Sequence, residues 1–241
     1  MSKKPDTRPF HLKQFSLLHH QSSMKVGTDA LLLGIWTDLS GATRILDIGA
    51  GCGILALLAA ARSKARVDAV ELDKASFKEA SGNFLNTTFR TRLHAFHDDF
   101  NHFTSVINHK YDLVMSNPPF FINDMRAREK KRNDARHGDR LNYEDLCRGA
   151  SAILNKDGRF CLVLPNDESR IFLQIAKKYK LYVNRQLLII PKRGLQHNRI
   201  NLELSFYNTP VTSDEFVIRE TDGAFTHQYI QFFKDYLIGF D

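Results

Sequence analysis

Four consecutive residues combine two hydrogen-bond acceptors, a stiff backbone and an aromatic face. They are Asn117, Pro118, Pro119 and Phe120. The side-chain oxygen of Asn117 and the backbone carbonyl of Pro118 can accept both N–H bonds of a planar amine. This interaction tilts the protons out of the plane and localises a lone pair that conjugation would otherwise spread. The prolines hold both acceptors in place, and Phe120 offers a face on which a flat ring stacks. We therefore take the four as the candidate catalytic group for a weakly nucleophilic, conjugated amine.

A glycine-rich turn, Asp47-Ile48-Gly49-Ala50-Gly51-Cys52-Gly53, follows a buried strand that we predict over residues 44–48. Glycines let the backbone turn sharply and approach a ligand closely. A dinucleotide fingerprint requires G-x-G-x-x-G, but Ile54 occupies the place of the third glycine. The turn thus predicts a ligand site and disfavours a nicotinamide oxidoreductase.

Acidic residues follow the next two predicted strands. Glu71 ends a strand over residues 67–71, and one carboxylate can accept two hydrogen bonds from a ligand at once. Asp98 and Asp99 follow a strand over residues 93–97. Either acid is a candidate ligand contact, and two solvated loop acids are the alternative.

Strands and helices alternate along most of the chain and must position these residues. We predict strands over 44–48, 67–71, 93–97, 111–116 and 158–164, with a closing antiparallel pair over 181–190 and 200–207. We predict helices over 30–36, 54–62, 74–86, 143–154 and 167–179, with an edge strand from 216 and a last helix over 226–240. Thr28 or Asp29 is expected to cap the first helix, and Asn142 with Asp145 the fourth. The alternation indicates an α/β fold with a mostly parallel sheet, in which ligands bind at the carboxyl ends of the strands.

Together, the glycine turn, Glu71 and the Asn-Pro-Pro-Phe group resemble the motifs of class I methyltransferases that act on adenine N6, guanine N2 or the amide of glutamine. The resemblance implies a Rossmann-like fold with a seven-stranded, mostly parallel sheet, its last strand antiparallel and helices on both faces. It also implies S-adenosylmethionine as the cofactor. The cofactor-binding residues that it implies are Lys25, Thr28, Asp47, Gly49, Gly51, Gly53, Glu71, Leu72, Asp98, Asp99 and Asn117. Asp99 fits the register of the family better than Asp98.

Flanking segments narrow the substrate. The chain resembles the bacterial enzymes that methylate N6 of adenosine 37 in valine tRNA. The residues that carry this resemblance are Phe15 and the segments 25–34, 134–137, 142–146, 157–160 and 218–236. This similarity covers nearly the whole chain. It implies one domain over residues 1–241, in which 1–40 cover the cofactor and substrate, 41–210 form the catalytic core and 211–241 form an extension.

The charge balance fits a nucleic-acid partner. The formal net charge is +7, and lysines and arginines displace counterions condensed on phosphates. We expect two basic segments to contact tRNA phosphates: Arg126, Arg128, Lys131, Arg132 and Arg136 after the catalytic group, and Lys192, Arg193 and Arg199 between the last core strands. A solvated loop is the alternative interpretation.

Several other classes are disfavoured. No apolar run approaches the roughly 20 residues of a membrane span, and the N-terminus lacks the apolar region of a secretory signal. Three cysteines cannot all pair, so we expect a cytoplasmic protein. The ten histidines show no metal-ligand spacing, and no metal is expected. A monomer is the default expectation.

Three rival functions stay open. A protein glutamine-N5 methyltransferase shares the catalytic motif, but its relatives carry an N-terminal helical domain for which the 40-odd residues before the first core strand are too few. An rRNA guanine-N2 or adenine-N6 methyltransferase shares the central motifs. A nonenzymatic RNA-binding module would not need the glycine turn, Glu71 and Asn117 together.

Overall fold

The computed structural model describes residues 7–118 and 141–240. The strands in this part of the chain are β1 (Phe10–His11), β2 (Ser16–Leu17), β3 (Arg44–Ile48), β4 (Arg66–Glu71), β5 (Leu93–His97), β6 (Tyr111–Ser116), β7 (Leu154–Pro165), β8 (Tyr182–Lys192), β9 (Arg199–Ser205) and β10 (Thr212–Arg219). The α-helices are α1 (Thr28–Trp36), α2 (Ile54–Arg62), α3 (Lys74–Leu85), α4 (Phe100–Val106), α5 (Tyr143–Ile153), α6 (Asn166–Lys178) and α7 (His227–Phe233). A turn of 3₁₀ helix, Arg90–Arg92, precedes β5.

The main sheet has the strand order β10-β8-β9-β7-β6-β3-β4-β5. All its strands run in one direction except β9, which is antiparallel to both β7 and β8. The prediction of an α/β fold with a mostly parallel sheet and an antiparallel seventh core strand is confirmed. Among the described residues this sheet has eight strands rather than seven, because Thr212–Arg219 pairs in parallel with the outer edge of β8.

Two apolar layers pack on the two faces of the sheet, as predicted. One layer joins α1, α2 and α7 to residues such as Ile45, Leu113 and Val163. The other joins α4, α5 and α6 to alternating residues such as Leu46 and Val114. Because successive side chains of a strand point to opposite faces, a strand buried on both faces reads as a continuous apolar run. β3 and β6 follow this pattern except at polar positions such as Asp47, Asp112 and Ser116, and they lie where the sequence predicts them, at residues 44–48 and 111–116.

The carboxyl ends of β6, β3, β4 and β5 are adjacent in the sheet. The glycine turn leaves β3, Glu71 ends β4, Asp98 follows β5 and Asn117 follows β6. The order of the strands therefore brings the candidate residues to one edge, as in other open parallel sheets.

The first and last described segments pack together. Leu12 forms an isolated antiparallel bridge with Leu237, and the Lys13 N–H donates to the Tyr236 carbonyl at 2.8 Å. Phe15 meets Phe89 edge to face, with ring centroids 6.0 Å apart. These contacts hold residues 12–15 against the core. The residues of the N-terminal segment that line the cavity, from Ser23, follow them in the chain.

The helix starts differ in part from the prediction. Gly27, not Thr28 or Asp29, occupies the N-cap position of α1, and no side chain caps that helix, so this prediction was wrong. Asp29 instead bonds Arg199. The cap at Asn142 is confirmed, since its side chain accepts from the Asp145 N–H at 2.9 Å. The last helix, α7, is shorter than the predicted 226–240.

Candidate active site

A cavity of about 910 Å³ lies at the carboxyl ends of β3, β4, β5 and β6. Its walls combine the glycine turn, the acids after β4 and β5, the residue after β6 and part of the N-terminal segment. The residues of the predicted cofactor site that line it are Lys25, Asp47, Gly49, Gly51, Glu71, Leu72, Asp98, Asp99 and Asn117. Thr28 and Gly53 are not among the lining residues.

The glycines of the turn have two different roles. Gly49, Gly51 and Gly53 all have positive φ, at 68°, 56° and 87°. A Cβ added at Gly49 or Gly51 would meet no atom within 4 Å, whereas one at Gly53 would lie 2.5 Å from the Phe84 ring. Thus Gly49 and Gly51 leave open space beside the backbone, and Gly53 allows α3 to approach the turn closely.

The carboxylate of Glu71 is fixed by the backbone around it. It accepts from the Gly51 N–H at 2.8 Å through one oxygen and from the Asp73 N–H at 2.8 Å through the other. Each carboxylate oxygen can accept more than one hydrogen bond, so both retain capacity toward the cavity. Glu71 is therefore an oriented acceptor in the wall.

Asp47 is an acid of a different kind, because it is almost fully buried. One oxygen accepts from the Ala56 N–H at 3.1 Å, and the other, Oδ1, has no hydrogen-bond partner among residues 7–118 and 141–240. Burial raises the pKa of Asp47 to about 7; the Ala56 N–H opposes this shift and the charge of Glu71 adds to it. An unpaired buried acceptor of this kind favours a ligand that brings a cationic donor.

Asp98 and Asp99 both line the cavity but have different local partners. Asp99 caps α4, since its Oδ1 accepts from the N–H groups of Asn101 at 2.8 Å and His102 at 3.2 Å. Both oxygens of Asp98 lie within 2.9 Å of His102 Nδ1. The preference for Asp99 as the ligand contact stays a prediction.

Asn117 lies at the point where β6 ends. The strand end is tied to β3, since Ser116 Oγ donates to the Ile48 carbonyl at 3.0 Å. Asn117 Oδ1 is buried and has no hydrogen-bond partner in the part of the chain that the structure describes. Pro118 is buried beside it, and Pro119 and Phe120 lie outside the described residues. The site therefore holds a second unpaired acceptor, on the β6 side of the glycine turn.

The predicted phosphate contacts fall into two groups. Arg126, Arg128, Lys131, Arg132 and Arg136 lie outside the described residues. Lys192, Arg193 and Arg199 do not line the cavity. Arg193 donates to Glu220 at 3.0 Å, and Arg199 donates to Asp29 at 3.0 Å. These two arginines are thus engaged in ion pairs within the protein, while Lys192 lies exposed at the end of β8.

Sequence reasoning missed several wall residues. Ser23, Met24, Lys74 and Leu141 line the cavity beside the predicted residues. Nothing in the types or spacing of these four residues distinguishes them. Ser23 and Met24 belong to residues 18–27, which form neither helix nor strand, and only Lys25 was selected there. Lys74 is the first residue of α3, and Leu141 lies just before the cap of α5.

In the described ranges, no group of three or more His, Cys, Asp or Glu side chains is arranged to hold a metal ion. Within those same ranges, no helix has the length and apolar character needed to cross a bilayer.

Comparison with known proteins identifies the family. The model of the methyltransferase small domain family matches residues 18–170, which include the glycine turn, Glu71 and Asn117. The chain belongs to this family. The enzyme thus uses S-adenosylmethionine, as predicted.

Curated relatives resemble this methyltransferase over nearly its whole length. The tRNA1(Val) (adenine(37)-N6)-methyltransferase of Bacteroides fragilis is 36% identical over 230 residues, which are 95% of this chain and 97% of that protein. The protein of the same name from Pectobacterium carotovorum is 36% identical over 231 residues, with 95% and 93% covered. The resemblance to this group of bacterial enzymes that the sequence motifs suggest is confirmed.

Among solved structures, a protein from Agrobacterium tumefaciens described as a predicted O-methyltransferase has a TM-score of 0.69. It is 21% identical, and the match covers 86% of this chain and 96% of that one. At this identity the likeness concerns the fold, and it confirms the class I methyltransferase architecture.

The wall of the cavity fits the cofactor of the family. S-adenosylmethionine carries an ammonium group, two ribose hydroxyls and a sulfonium methyl group. Asp47 Oδ1 is an unpaired buried acceptor suited to a cationic donor, and Glu71 is an oriented carboxylate suited to hydroxyls. The space beside Gly49 and Gly51 admits a ligand against the backbone.

Proposed function

We propose that this methyltransferase transfers a methyl group from S-adenosylmethionine to the exocyclic N6 of an adenine in RNA, namely adenosine 37 of a valine tRNA. The observation that carries the proposal is Asn117 Oδ1, a buried acceptor in the cavity wall with no partner among the described residues. A buried acceptor without a hydrogen bond is costly, so a substrate N–H that supplies one is favoured. The exocyclic amine of adenine supplies two.

The chemistry that we assign to Asn117 and Pro118 follows from the two hydrogen-bond acceptors that they provide. Asn117 Oδ1 takes one N–H of the amine and the Pro118 carbonyl takes the other. Both acceptors are held in place by a proline-stiffened backbone, and such preorganisation lowers the cost of reaching the reactive geometry. When bound, the cofactor would supply an electrophilic methyl group, and its sulfur would keep the electron pair of the broken S–CH₃ bond and leave as S-adenosylhomocysteine. The methylated nitrogen then loses its extra proton to water, so no strong base is required.

RNA is supported as the substrate by the curated relatives and by the charge. The relatives from Bacteroides fragilis and Pectobacterium carotovorum are named for adenine 37 of a valine tRNA. A net charge of +7 favours a polyanion over a protein substrate such as a glutamine side chain. In this proposal the enzyme acts as a monomer in the cytoplasm without a metal ion. The three buried cysteines in the described region are free thiols, as a reducing compartment would keep them.

The experiment that tests this function uses total tRNA and S-adenosylmethionine with a labelled methyl group. After incubation with the enzyme, the nucleosides and ribonuclease fragments are analysed by mass spectrometry. We expect labelled N6-methyladenosine in a fragment that holds position 37 of a valine tRNA. Parallel incubations contain ribosomal RNA or protein in place of tRNA. Label in N2-methylguanosine, in ribosomal RNA but not in tRNA, or in a protein glutamine would contradict the proposal.

A further inference from the structure

Helix α3 carries a polar face where the packing of the fold would ordinarily place apolar side chains. Ser76, Glu79 and Asn83 recur at spacings that place them on one side of a helix. Their exposed fractions are 0%, 7% and 3%. Buried polar groups are costly unless they are hydrogen-bonded, so the partners of this α3 polar face indicate its role.

Those partners belong to the N-terminal segment. Glu79 accepts from the N–H groups of His20 and Gln21 at 2.9 Å through one oxygen. Through the other it accepts from the Ser22 N–H at 2.9 Å and the Ser22 hydroxyl at 2.6 Å. Burial by itself would raise the pKa of Glu79, but these hydrogen bonds outweigh it and lower the pKa. One carboxylate thus satisfies three successive residues of a segment that has no helix or strand to do so.

Asn83 and Ser76 hold the segment on either side of Glu79. Asn83 exchanges two hydrogen bonds with the backbone of Leu18, each of 2.8 Å. Its amide also donates to the Cys52 carbonyl at 2.9 Å, which ties the segment to the glycine turn. Ser76 Oγ accepts from the Ser23 N–H at 3.3 Å.

The segment held in this way forms part of the cavity wall. Ser23, Met24 and Lys25 follow directly after the residues bonded to Glu79, and all three line the cavity. We refer to residues 18–25 as the cover segment. We propose that Glu79 is a positioning residue, which holds the cover segment over the cofactor and thereby sets the rate at which the cofactor leaves. This inference rests on the cofactor site described above and not on the identity of the RNA.

A residue near the amino end of β6, on the side of the sheet away from the cavity, provides a matched control. Asp112, in β6, accepts from the Thr43 N–H at 2.9 Å, the Thr43 hydroxyl at 2.7 Å and the Arg44 N–H at 3.0 Å. It also accepts from the Asn155 amide. Asp112 therefore fixes a loop in the same manner as Glu79, but away from the cavity.

The test compares Glu79→Gln with Asp112→Asn. Each change replaces one acceptor oxygen by an NH₂ group that faces N–H donors, so both variants should lose stability. The cofactor off-rate is measured by displacement of labelled S-adenosylmethionine, and opening of the cover segment by trypsin cleavage after Lys25. We expect Glu79→Gln alone to raise the off-rate and the KM for cofactor at least about tenfold, with kcat at saturating cofactor changed less than about threefold. Bound cofactor should slow the cleavage in the wild type and much less in Glu79→Gln.

Ser22→Ala keeps the test decisive if Glu79→Gln folds poorly. It removes only the hydroxyl bond to Glu79, and a smaller rise in the off-rate is expected. Equal effects of Glu79→Gln and Asp112→Asn on the off-rate, or an unchanged off-rate in both Glu79→Gln and Ser22→Ala, would overturn the inference while leaving the proposed function intact. A wild-type protein that binds no S-adenosylmethionine would overturn both.

Discussion

The carboxylate of Glu71, at the end of β4, accepts a hydrogen bond of 2.8 Å from the backbone N–H of Gly51. The same carboxylate holds the Asp73 N–H at the start of the next helix. One side chain therefore fixes the relative position of two cavity walls, and its remaining acceptor capacity is available to the cavity. The contacts give Glu71 a structural role, and we propose a binding role that experiment can separate from it.

Glu71→Gln keeps the size of the side chain but replaces one acceptor oxygen by an NH₂ group. We expect a rise of at least about tenfold in the dissociation constant for S-adenosylmethionine, since a hydrogen bond to a charged acceptor contributes about 1.5–3 kcal/mol. Isothermal titration calorimetry measures this constant directly. Glu144→Gln, at a half-buried acid of α5 that does not line the cavity, is the control and should bind like the wild type. Wild-type affinity in Glu71→Gln would exclude the binding role.

Asn117→Ala removes the side-chain acceptor and leaves the cavity backbone in place. We expect methyl transfer to be abolished while the affinity for cofactor stays nearly intact, because the residue acts on the substrate amine. Pro118→Ala keeps the backbone carbonyl and should retain more turnover than Asn117→Ala. Turnover is measured at saturating cofactor and tRNA. If Asn117→Ala retains about a third of wild-type turnover, the role given to Asn117 is wrong.

The stability of the cofactor-free enzyme should depend on pH through Asp47. Its pKa rises from the usual 3.8 to about 7 on folding. Below the lower value both states hold the proton, and Asp47 has no effect. Between the two values the folded state holds a proton that the unfolded state has lost, so the free energy of unfolding falls as pH rises, by at most about 1.4 kcal/mol per pH unit. Above about 7 the loss is complete.

Asp47→Asn removes this dependence, because the amide does not ionise. We expect the free energy of unfolding of the variant minus that of the wild type to increase with pH up to about 7 and then to level off. Urea unfolding without cofactor, at several pH values from about 4.5 to about 8.5, measures the difference. A difference that stays constant over this range would show that Asp47 is ionised throughout.

The elements that sequence alone predicts well are those whose pattern is local. β3 and β6 match the prediction because each is a short, mostly apolar segment with a strand-breaking residue, Gly49 or Pro118, within two positions of its end. The same strands predict where the cavity lies, because ligands bind at the carboxyl ends of parallel strands. The wall residues at their carboxyl ends are therefore predicted by position before any contact is known.

The elements that sequence misses depend on distant partners. Helix α4 has only seven residues and was not predicted. Its N-cap is Asp99, which the sequence singled out only as a candidate ligand contact, a prediction that stays open. Strand β10 begins at Thr212 rather than 216, since its polar first residues are fixed by pairing with β8. Glu79 resembles an ordinary surface acid of a helix, and only the approach of residues 20–22 buries it.

Two glycines of the same turn should respond differently to alanine. Gly51→Ala places a Cβ in open space at φ 56°, so the strain costs about 1–2 kcal/mol and the new methyl group enters the cofactor site. Gly53→Ala combines similar strain with a contact of 2.5 Å to Phe84. We expect Gly51→Ala chiefly to weaken cofactor binding and Gly53→Ala chiefly to lower Tm. Thermal unfolding and cofactor titration of both variants test this, and a larger Tm loss in Gly51→Ala would contradict it.

The salt dependence of tRNA binding should distinguish the two basic segments that the sequence predicts to contact phosphates. Arg193 and Arg199 donate to Glu220 and Asp29, so neutralising them removes charge that the protein has already balanced. Neutralising Arg126, Arg128, Lys131 and Arg132 removes charge that we predict to contact phosphate.

Each phosphate contact contributes about 0.7–0.9 to the slope of log Kd against log salt. We therefore expect the fourfold Gln variant of Arg126, Arg128, Lys131 and Arg132 to flatten that slope by up to about 3. Arg193→Gln with Arg199→Gln should change it by less than about 1. Filter binding of a valine tRNA at several potassium concentrations measures both variants against the wild type. An unchanged slope in the fourfold variant would place the RNA on another surface, and a flattening by the double variant as large as by the fourfold one would show that RNA displaces Glu220 and Asp29.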